Sequence, residues 1–391
     1  MKRFSTAALT LAALSPATAL SSPPSLAWAT STESPRALAA SELSDRERAL
    51  AVRCGVGDAA LADVARHVLA DKLRGARTPD SDALAFALRV AGEPHVWPRA
   101  WVVSGRALER DALEKRLDAW TQTLHDVGVR RCGAALGTAQ DGTEVAVVVS
   151  VDAMADLAAL PVRARVGQWL TVDARVLAPS TGARVVVMGP YGAPRSMPTS
   201  FDAGHVRARF TPDAPGAFTV QVVADFPSGP RPVLEASVFA DASPPSRPDS
   251  RAAAAPGEEA ALASSDDAAS LEAMLAAMRR TEQRATFARD ARLDLLARDH
   301  AGRMAAARTV AHDTGDGDPT TRLQRAGLSA RDAGENVAHA PTVALAHRAL
   351  YASPSHRVNL LRADFDRVGI GVVRDADGSV WVTELFASAL R

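Results

Sequence analysis

The fold is decided by three short stretches in the last third of the chain: AHDTGDG at residues 311–317, AGENVA at residues 333–338 and SPSHRVNLL at residues 353–361. Each stretch places an ionisable side chain beside glycine, serine or proline, where a loop or a helix end is expected. Two of these side chains are imidazoles and one is a carboxylate. Such a set can bind a divalent cation or exchange protons near neutral pH. We therefore predict that the functional site lies in this region.

Length and charge limit the classes of protein that the chain can belong to. With 391 residues it is too long for one ordinary core, so two or three domains are expected. The 45 basic residues balance the 45 acidic ones, and the formal net charge is +0. This balance argues against nucleic acid or an acidic membrane surface as the main partner.

The first 29 residues are typical of an export signal. Lys2-Arg3 precedes an apolar run at residues 7–14, and small-residue cleavage motifs follow at residues 17–19 and 27–29. The apolar run is too short to span a bilayer, so we expect no transmembrane segment. We predict a signal peptide at residues 1–29 and a secreted protein, either extracellular or periplasmic.

The chain has two cysteines, Cys54 and Cys132. In an oxidising compartment they can pair, and closing so long a loop stabilises a fold by roughly 3–5 kcal/mol. Two buried free thiols are the alternative. Neither cysteine has the neighbours that a metal site needs, and the sequence leaves both interpretations open.

Residues 41–160 are predicted to form a mainly helical domain that ends in a β-hairpin. The segment Ser44-Asp45-Arg46-Glu47 is a helix-start signal, and residues 106–124 are amphipathic. A β-branched run at residues 145–151 follows the turn signal Asp141-Gly142, which indicates the hairpin.

From residue 161 to residue 243 the hydrophobic period changes to two. Val206, Ala208 and Phe210 alternate with polar neighbours, and proline- and glycine-rich turn signals recur along the region. This pattern predicts an immunoglobulin-like β-sandwich without a disulfide of its own. Residues 244–265 are rich in proline, serine, alanine and acidic residues, and we expect them to be a linker.

The C-terminal region, residues 266–391, combines helices with a final hairpin. Residues 271–284 and 290–307 have helical periodicity, and two β-branched runs between residues 368 and 386 flank an Asp-Gly turn. The fold class predicted for the whole chain is therefore α+β.

Several segments of this region follow one another in an order that resembles the CAP superfamily: cysteine-rich secretory proteins, antigen 5 and pathogenesis-related 1 proteins. The segments are LLARDHAGRMA at residues 295–305, the loop histidine His312, AGLSARDAGENVA at 326–338, SPSHRVNLL at 353–361, DFDRVGIGVV at 364–373 and WVTELF at 381–386. The match is to the bacterial SCP-like branch, which lacks disulfides. The resemblance implies an α-β-α sandwich with an open cleft that two histidines and acidic side chains line. In some members of the family the histidines bind a divalent metal, often zinc.

His312, Glu335 and His356 match cavity positions of that family. The family's fourth position, an acid in the helix before the second histidine, has no match in this chain. Glu384 stands where the branch usually has glutamine and is a candidate for a second carboxylate in the cavity. Ser355 replaces the usual glycine before the second histidine.

Two functional interpretations remain open. In the first, the cavity binds a divalent cation such as zinc through His312 and His356, or a small lipid-like or peptide ligand, in an extracellular or cell-envelope role. In the second, the protein is a metal-assisted hydrolase with Glu335 as general base. A purely structural alternative is that Glu335 and Asn336 tie loops together by hydrogen bonds and hold no metal.

Other histidines and serines of the region carry weaker predictions. His300 is expected to be a packing histidine on a helix, and His339 and His347 are expected at the surface. Ser353 and Ser355 lie near the second cavity histidine, but no strand–turn–helix nucleophile elbow precedes them. Serine catalysis is therefore not favoured.

The end of the N-terminal region has the layout of the end of the chain. The segment VGVRRCGAALGTAQDGTEVAVVVSV at residues 127–151 and the segment VGIGVVRDADGSVWVTELF at residues 368–386 both contain two strand-like runs around an Asp-Gly turn. One interpretation is a degenerate CAP-like domain without a working cavity. The other is an unrelated helical domain that ends in a hairpin.

Overall fold

The computed structural model describes residues 27–34, 43–246, 254–263 and 266–391. Residues 1–26 of the predicted signal peptide lie outside these ranges, and so does part of the predicted linker. None of the described helices combines the length and apolarity that a membrane crossing requires. The described residues form an N-terminal layered region, a β-sandwich and a C-terminal layered region.

The N-terminal layered region is a four-stranded sheet between two layers of helices. Its elements, with one short leading strand, are β1 (Ser31–Thr32), α1 (Asp45–Cys54), β2 (Val56–Gly57), α2 (Ala59–Leu73), α3 (Ser81–Val90), β3 (Arg99–Gly105), α4 (Arg110–Thr121), β4 (Val129–Thr138) and β5 (Glu144–Ala153). The strand order is β2-β4-β5-β3. Helices α2 and α3 pack on one face of the sheet, and α1 and α4 pack on the other. The prediction of helices and one hairpin therefore omitted β3, which pairs with β5 at the sheet edge.

The capping residues explain where the first helices begin. The Ser44 side chain accepts a hydrogen bond from the Glu47 N–H, and the Glu47 carboxylate accepts one from the Ser44 N–H. This reciprocal pair satisfies two backbone donors at the start of α1. Helix α1 ends before Gly55. The next helix, α2, begins after Asp58, whose side chain accepts hydrogen bonds from two backbone N–H groups.

The β-sandwich consists of two sheets that share one apolar core. Its strands are β6 (Ala155–Leu157), β7 (Leu160–Pro161), β8 (Arg163–Ala164), β9 (Leu170–Val176), β10 (Gly182–Met188), β11 (Arg195–Met197), β12 (Thr199–Asp202), β13 (His205–Phe210), β14 (Gly216–Phe226) and β15 (Gly229–Ala240). The strand orders are β11-β10-β14-β15-β8 and β12-β13-β9-β6. Burial alternates strictly along β13, as the period of two predicts. The sandwich begins before the predicted limit at residue 161, because β6 pairs with β9.

Part of the segment predicted as a linker packs on the C-terminal region. Residues Glu258–Ala263 form a 3-10 helix. Arg348 forms an ion pair with Glu258, and the Pro256 carbonyl is hydrogen-bonded to a ring nitrogen of His347 at 3.0 Å. Composition alone predicted a linker here, because it does not show that Glu258 and Pro256 have specific partners in the C-terminal region.

The C-terminal layered region is again a four-stranded sheet between helices. Its elements are α5 (Asp267–Thr281), β16 (Ala288–Arg289), α6 (Ala291–Ala307), α7 (Pro319–Arg325), β17 (Asp332–Ala340), α8 (Val343–Ala352), α9 (Pro354–Leu361), β18 (Arg367–Arg374) and β19 (Val380–Ser388). The strand order is β16-β18-β19-β17. Helices α6 and α7 cover one face, and α5, α8 and α9 cover the other. Edge strand β17 therefore lies between two helical layers.

The two layered regions share one topology. In each, the first strand pairs parallel to the third, and the remaining pairs are antiparallel in the same order. The pairings Val56 with Arg131 and Ala288 with Arg367 make these two arginines equivalent. The layering favours the interpretation that the N-terminal region is a CAP-like copy over an unrelated helical domain.

Candidate functional site

His312 lies in the loop between α6 and α7 and faces the edge strand β17. Its Nδ1 is 2.8 Å from Oε1 of Glu335, and because a carboxylate only accepts, the imidazole is the donor. The other carboxylate oxygen of Glu335 accepts from Nη2 of Arg322 at 2.6 Å. All three side chains are buried. The carboxylate thus fixes the tautomer of His312 and balances the charge of Arg322.

A second histidine, His300, hydrogen-bonds to the loop that carries His312. His300 in α6 is fully buried, and its two ring nitrogens contact Asp316 Oδ2 at 2.8 Å and the Ala311 carbonyl at 2.9 Å. Burial opposes ionisation of Asp316, but hydrogen bonds from His300 and Thr314 hold its pKa below the ordinary value. His300 is therefore the satisfied packing histidine that was predicted, and it holds the loop that carries His312.

His356 approaches β17 from the side of the other helical layer. It lies in the first turn of α9, and its Nδ1 is 2.8 Å from Oγ of Ser353. Burial, and then the nearby charge of His312, lower the pKa of His356 to about 3. The imidazole is therefore neutral at physiological pH, as a metal ligand must be.

The two imidazoles present the same ring atom. Nδ1 of His312 and Nδ1 of His356 are both engaged by protein groups, and no described residue hydrogen-bonds either Nε2. Within the described ranges, no group of three or more His, Cys, Asp or Glu side chains is arranged to hold a metal ion. Any cation held by these two histidines would therefore need water or a ligand to complete its coordination shell.

Glu384 does not join this site. In the pairing of β17 with β19, Glu335 lies opposite Leu385 and Asn336 lies opposite Glu384, so the two glutamates project from opposite faces of the sheet. Glu384 is fully buried, and its Oε2 accepts from the Asn336 amide at 3.0 Å. Burial raises the pKa of Glu384 to about 7, although the hydrogen bond from Asn336 opposes the rise. The second carboxylate expected in the cavity is thus a core residue.

Several residues of the site were not predicted as such from the sequence. Asn336 donates to the His356 carbonyl at 3.3 Å, and Asn359 donates to Asn336 at 3.0 Å and to the Glu335 carbonyl at 3.2 Å. These amides join α9 to β17 by hydrogen bonds. This is the structural role that the sequence analysis gave as one alternative for Asn336. The sequence did not indicate that Arg322 belongs to the site. It lies in α7, which begins at Pro319 and is capped by Asp318.

The remaining candidates are structural. His347 is fully buried, contrary to the surface position predicted for it, because its ring is hydrogen-bonded to the Pro256 carbonyl. Burial lowers the pKa of His347. His339 is exposed as predicted and stacks on Trp381. Ser353 caps the helix boundary between α8 and α9, and among the described residues no carboxylate contacts the His356 ring.

The β-sandwich covers the candidate site. The backbone N–H groups of His312 and Asp313 both donate to the Ser228 carbonyl at 3.1 Å. At the start of α9, the Ser355 N–H donates to Oε1 of Gln221 at 3.1 Å. Both histidine-bearing segments therefore contact β14 or the turn that follows it.

A groove of about 540 Å³ lies away from the histidines, between α5, α6 and β18. Two of its arginines are paired with carboxylates: Arg289 with Glu272 and Asp294, each at 2.8 Å, and Arg374 with Asp267 at 2.7 Å. The charges of these two arginines are therefore balanced, whereas Arg298, which also lines the groove, forms no ion pair with a described residue.

In the described part of the N-terminal layered region, four positions equivalent to polar residues of the C-terminal region are apolar. The strand pairings place Ala100, Trp101 and Val148 at the positions of Glu335, Asn336 and Glu384. Counting from the capping aspartates of α2 and α6 places Val68 at the position of His300. Apolar side chains thus stand at each of these positions.

Comparison with known proteins identifies the C-terminal region. Residues 273–386 match the family model described as CAP, Cysteine-rich secretory protein family. No curated protein matches the chain.

Three solved structures are similar to parts of the chain. An outer surface protein of Borrelia burgdorferi is 21% identical over 32% of this chain and 93% of that one, with a TM-score of 0.30. An extracellular SCP-domain protein of Bacillus anthracis is 15% identical over 60% and 86%, with a TM-score of 0.29. A cysteine-rich secretory protein of Staphylococcus aureus is 10% identical over 69% and 89%, with a TM-score of 0.27. The C-terminal layered region of this chain therefore contains a CAP domain, at residues 273–386.

Proposed function

We propose that the cleft beside β17 is a binding site in an extracellular or cell-envelope protein, and that it binds its ligand through Nε2 of His312 and Nε2 of His356. The observation that carries this proposal is the contact between His312 Nδ1 and Glu335 Oε1 at 2.8 Å. It directs the lone pair of the other ring nitrogen away from the carboxylate. A histidine held in this way by a carboxylate is the usual arrangement at metal sites.

The donor set fits a labile divalent cation such as zinc. Zinc binds neutral imidazole nitrogen and is usually four-coordinate in proteins. Two histidines supply half of such a shell, so water or a ligand would supply the rest. We expect weak, exchangeable binding rather than a structural metal.

The geometry supports binding better than metal-assisted hydrolysis. Glu335, the candidate general base, is buried with both of its carboxylate oxygens engaged by His312 and Arg322. A base must reach the proton that it abstracts. Glu335 is placed to position His312, and we do not assign it a catalytic role.

An extracellular location is supported by Cys54 and Cys132, which form a disulfide in the structure. Disulfides persist in oxidising compartments. Together with the export-like N-terminus, this favours the paired interpretation of the cysteines over two free thiols.

The test is a zinc titration of the full chain by isothermal calorimetry. We expect one weak site in the parent protein, and its loss in His312→Ala and in His356→Ala. His205→Ala is the matched control, because His205 is exposed on β13 in the sandwich.

Equal zinc binding by all four proteins would contradict the proposed site. Loss of binding in His205→Ala alone would also contradict it, since the cation would then lie on the sandwich. Circular dichroism of each variant establishes that the fold is retained.

A further inference from the structure

A tight turn of the β-sandwich lies against the histidine cleft. The turn joins β14 to β15, and Phe226 pairs with Gly229 across it. The N–H groups of His312 and Asp313 both point to the Ser228 carbonyl oxygen, each at 3.1 Å. Two successive backbone N–H groups directed at one oxygen form a site for a carbonyl or carboxylate. The cleft thus offers a preformed partner for a peptide carbonyl.

The residue after this carbonyl has to be glycine. Gly229 has φ +102°, a conformation that L side chains rarely adopt. A Cβ on Gly229 would lie 2.5 Å from Cβ of His312 and 3.1 Å from its ring carbon Cγ. Real Cβ atoms do not approach so closely, so the backbone of Gly229 rests directly on the imidazole. The cleft therefore selects for shape as well as for a carbonyl.

The sandwich also contacts the segment that carries the second histidine. Oε1 of Gln221 accepts the N–H of Ser355, and Arg357 contacts the Met188 sulfur at 3.6 Å. His312 is only 9% exposed as a result of its packing. Ala193 of the sandwich also packs on the apolar core of the C-terminal region. Regions of one chain are expected to move relative to one another unless a large apolar interface joins them.

We propose that the turn Phe226–Gly229 is an internal occupant of the cleft, and that the external ligand is a polypeptide segment with the same features, a carbonyl followed by glycine. This inference rests on the binding function proposed for the cleft and names its ligand class. The turn and the external segment compete, so the ligand binds only when the sandwich moves away from His312.

The experiment uses the full chain and a labelled synthetic peptide, ADFPSGPRP, which has the sequence of residues 224–232. Gly229→Val removes the turn from the cleft without altering the CAP domain. We expect this variant to bind the peptide at least about tenfold more tightly than the parent. In the parent, only the fraction of molecules whose turn has left the cleft can bind, which lowers the apparent affinity for the peptide. The peptide with valine in place of glycine should bind to neither protein. Fluorescence anisotropy measures the affinities.

Gly167→Val is the matched control. Gly167 also has a left-handed backbone, φ +81°, in the sandwich, but its Cβ would meet no neighbouring atom within 4 Å. It reproduces the local strain without disturbing the cleft. We expect Gly167→Val to bind the peptide as weakly as the parent.

Amide hydrogen exchange at His312 and Asp313 separates the possible failures. Unchanged exchange in Gly229→Val would show that the turn does not occupy the cleft. Faster exchange without peptide binding would overturn the ligand class. In that case, zinc binding by Gly229→Val would leave the proposed cleft function intact, whereas binding of neither zinc nor peptide would remove that function as well. If Gly229→Val fails to fold, Gly229→Ala replaces it, since a single Cβ already meets His312.

Discussion

The two glutamates predicted for one cavity lie in opposite environments. Glu335 is buried with a guanidinium and an imidazole, so its charge is compensated. Glu384 is buried with only an amide at Oε2, and no described group hydrogen-bonds its Oε1. A carboxyl without a cation in the core resists ionisation. Neighbouring strands therefore carry one glutamate that pairs with a cation and positions a histidine, and a second whose burial favours the protonated form.

Glu384 makes the stability of the CAP domain dependent on pH. Its pKa rises from 4.5 to about 7 on folding. Below pH 4.5 both states hold the proton. Between pH 4.5 and 7 the unfolded state loses its proton while the folded state keeps it, so stability falls as pH rises. Above pH 7 the free energy of unfolding is lower by the full amount, about 3 kcal/mol.

Glu384→Gln should remove this dependence. We expect the variant to gain stability at pH 8 relative to the parent and to gain nothing at pH 4, as measured by urea unfolding at both values. Glu109→Gln, at an exposed position, controls for the loss of one formal charge. A gain of equal size at pH 4 and pH 8 would contradict the burial argument.

Arg322 is the residue on which the charge balance of the site depends. Removing it by Arg322→Met leaves Glu335 buried without a cation, which typically costs roughly 3–5 kcal/mol. Adding Glu335→Gln should recover part of that loss, because the uncompensated charge is then gone. Denaturant unfolding of the parent, both single variants and the double variant measures the coupling. Additive losses would show that the two side chains do not act as a pair.

At the scale of elements, close approach of a helix to the sheet explains two glycines in β18. A Cβ on Gly369 would lie 2.3 Å from the backbone of Leu293, and one on Gly371 would lie 2.2 Å from that of Ala297. Gly133 has the same relation to Leu61 and Ala62 in the N-terminal region. The N-terminal region thus also has a glycine at the point where a helix packs closely on its sheet.

Gly369→Ala should therefore push α6 away from the sheet. Overpacking of this kind usually costs about 1–3 kcal/mol, and here backbone atoms would have to move. Gly302→Ala in α6 meets no neighbour and should stabilise by about 0.5–1 kcal/mol. Thermal unfolding of the two variants gives the comparison. A neutral Gly369→Ala would show that the helix can shift freely.

Elements with a strong local pattern were predictable from the sequence, and those set by tertiary contacts were not. Capping and periodicity indicated α1 and α6, and the Asp-Gly turn indicated the hairpin of β18 and β19. Edge strand β3 showed no alternation of buried and exposed residues, because its first four residues are all partly buried. His312 and His356 were indicated by their motifs. The face on which Glu384 lies depends on strand register, which a single sequence does not reveal.

On the scale of the whole molecule, the sandwich connects the N-terminal layered region to the C-terminal layered region, which carries the two histidines. Arg89 of α3 forms an ion pair with Glu235 of β15 at 2.8 Å, and the Pro94 carbonyl accepts from the Glu235 N–H. The same hairpin carries the turn that reaches His312. Movement of the sandwich would therefore be transmitted to both layered regions, which is why the full chain is needed to test the cleft.

The disulfide should determine the stability of the N-terminal layered region. It joins α1 to β4 and closes a loop of sequence separation 78. In the chain-entropy account, closing a loop of that length stabilises the folded state by about 4–5 kcal/mol. Dithiothreitol should lower the unfolding midpoint of the parent and leave the Cys54→Ala/Cys132→Ala variant unchanged. An equal response of both proteins would show that the reductant acts elsewhere.

The packing of Trp28 discriminates between the two candidate cleavage motifs. Its ring lies 5.7 Å from Phe86 in the N-terminal region and 5.2 Å from Phe239 in the sandwich, centroid to centroid, and its Nε1 donates to the Pro245 carbonyl. Cleavage after Ala29 would remove this contact between two regions, whereas cleavage after Ala19 retains it. This packing favours a signal peptide of residues 1–19 over the one predicted at residues 1–29, so we expect an exported chain to begin at residue 20. The intact mass of protein recovered from the medium or periplasm measures this directly. A mass that begins at Thr30 would contradict the prediction, and Trp28 would then have no part in holding the sandwich to the N-terminal region.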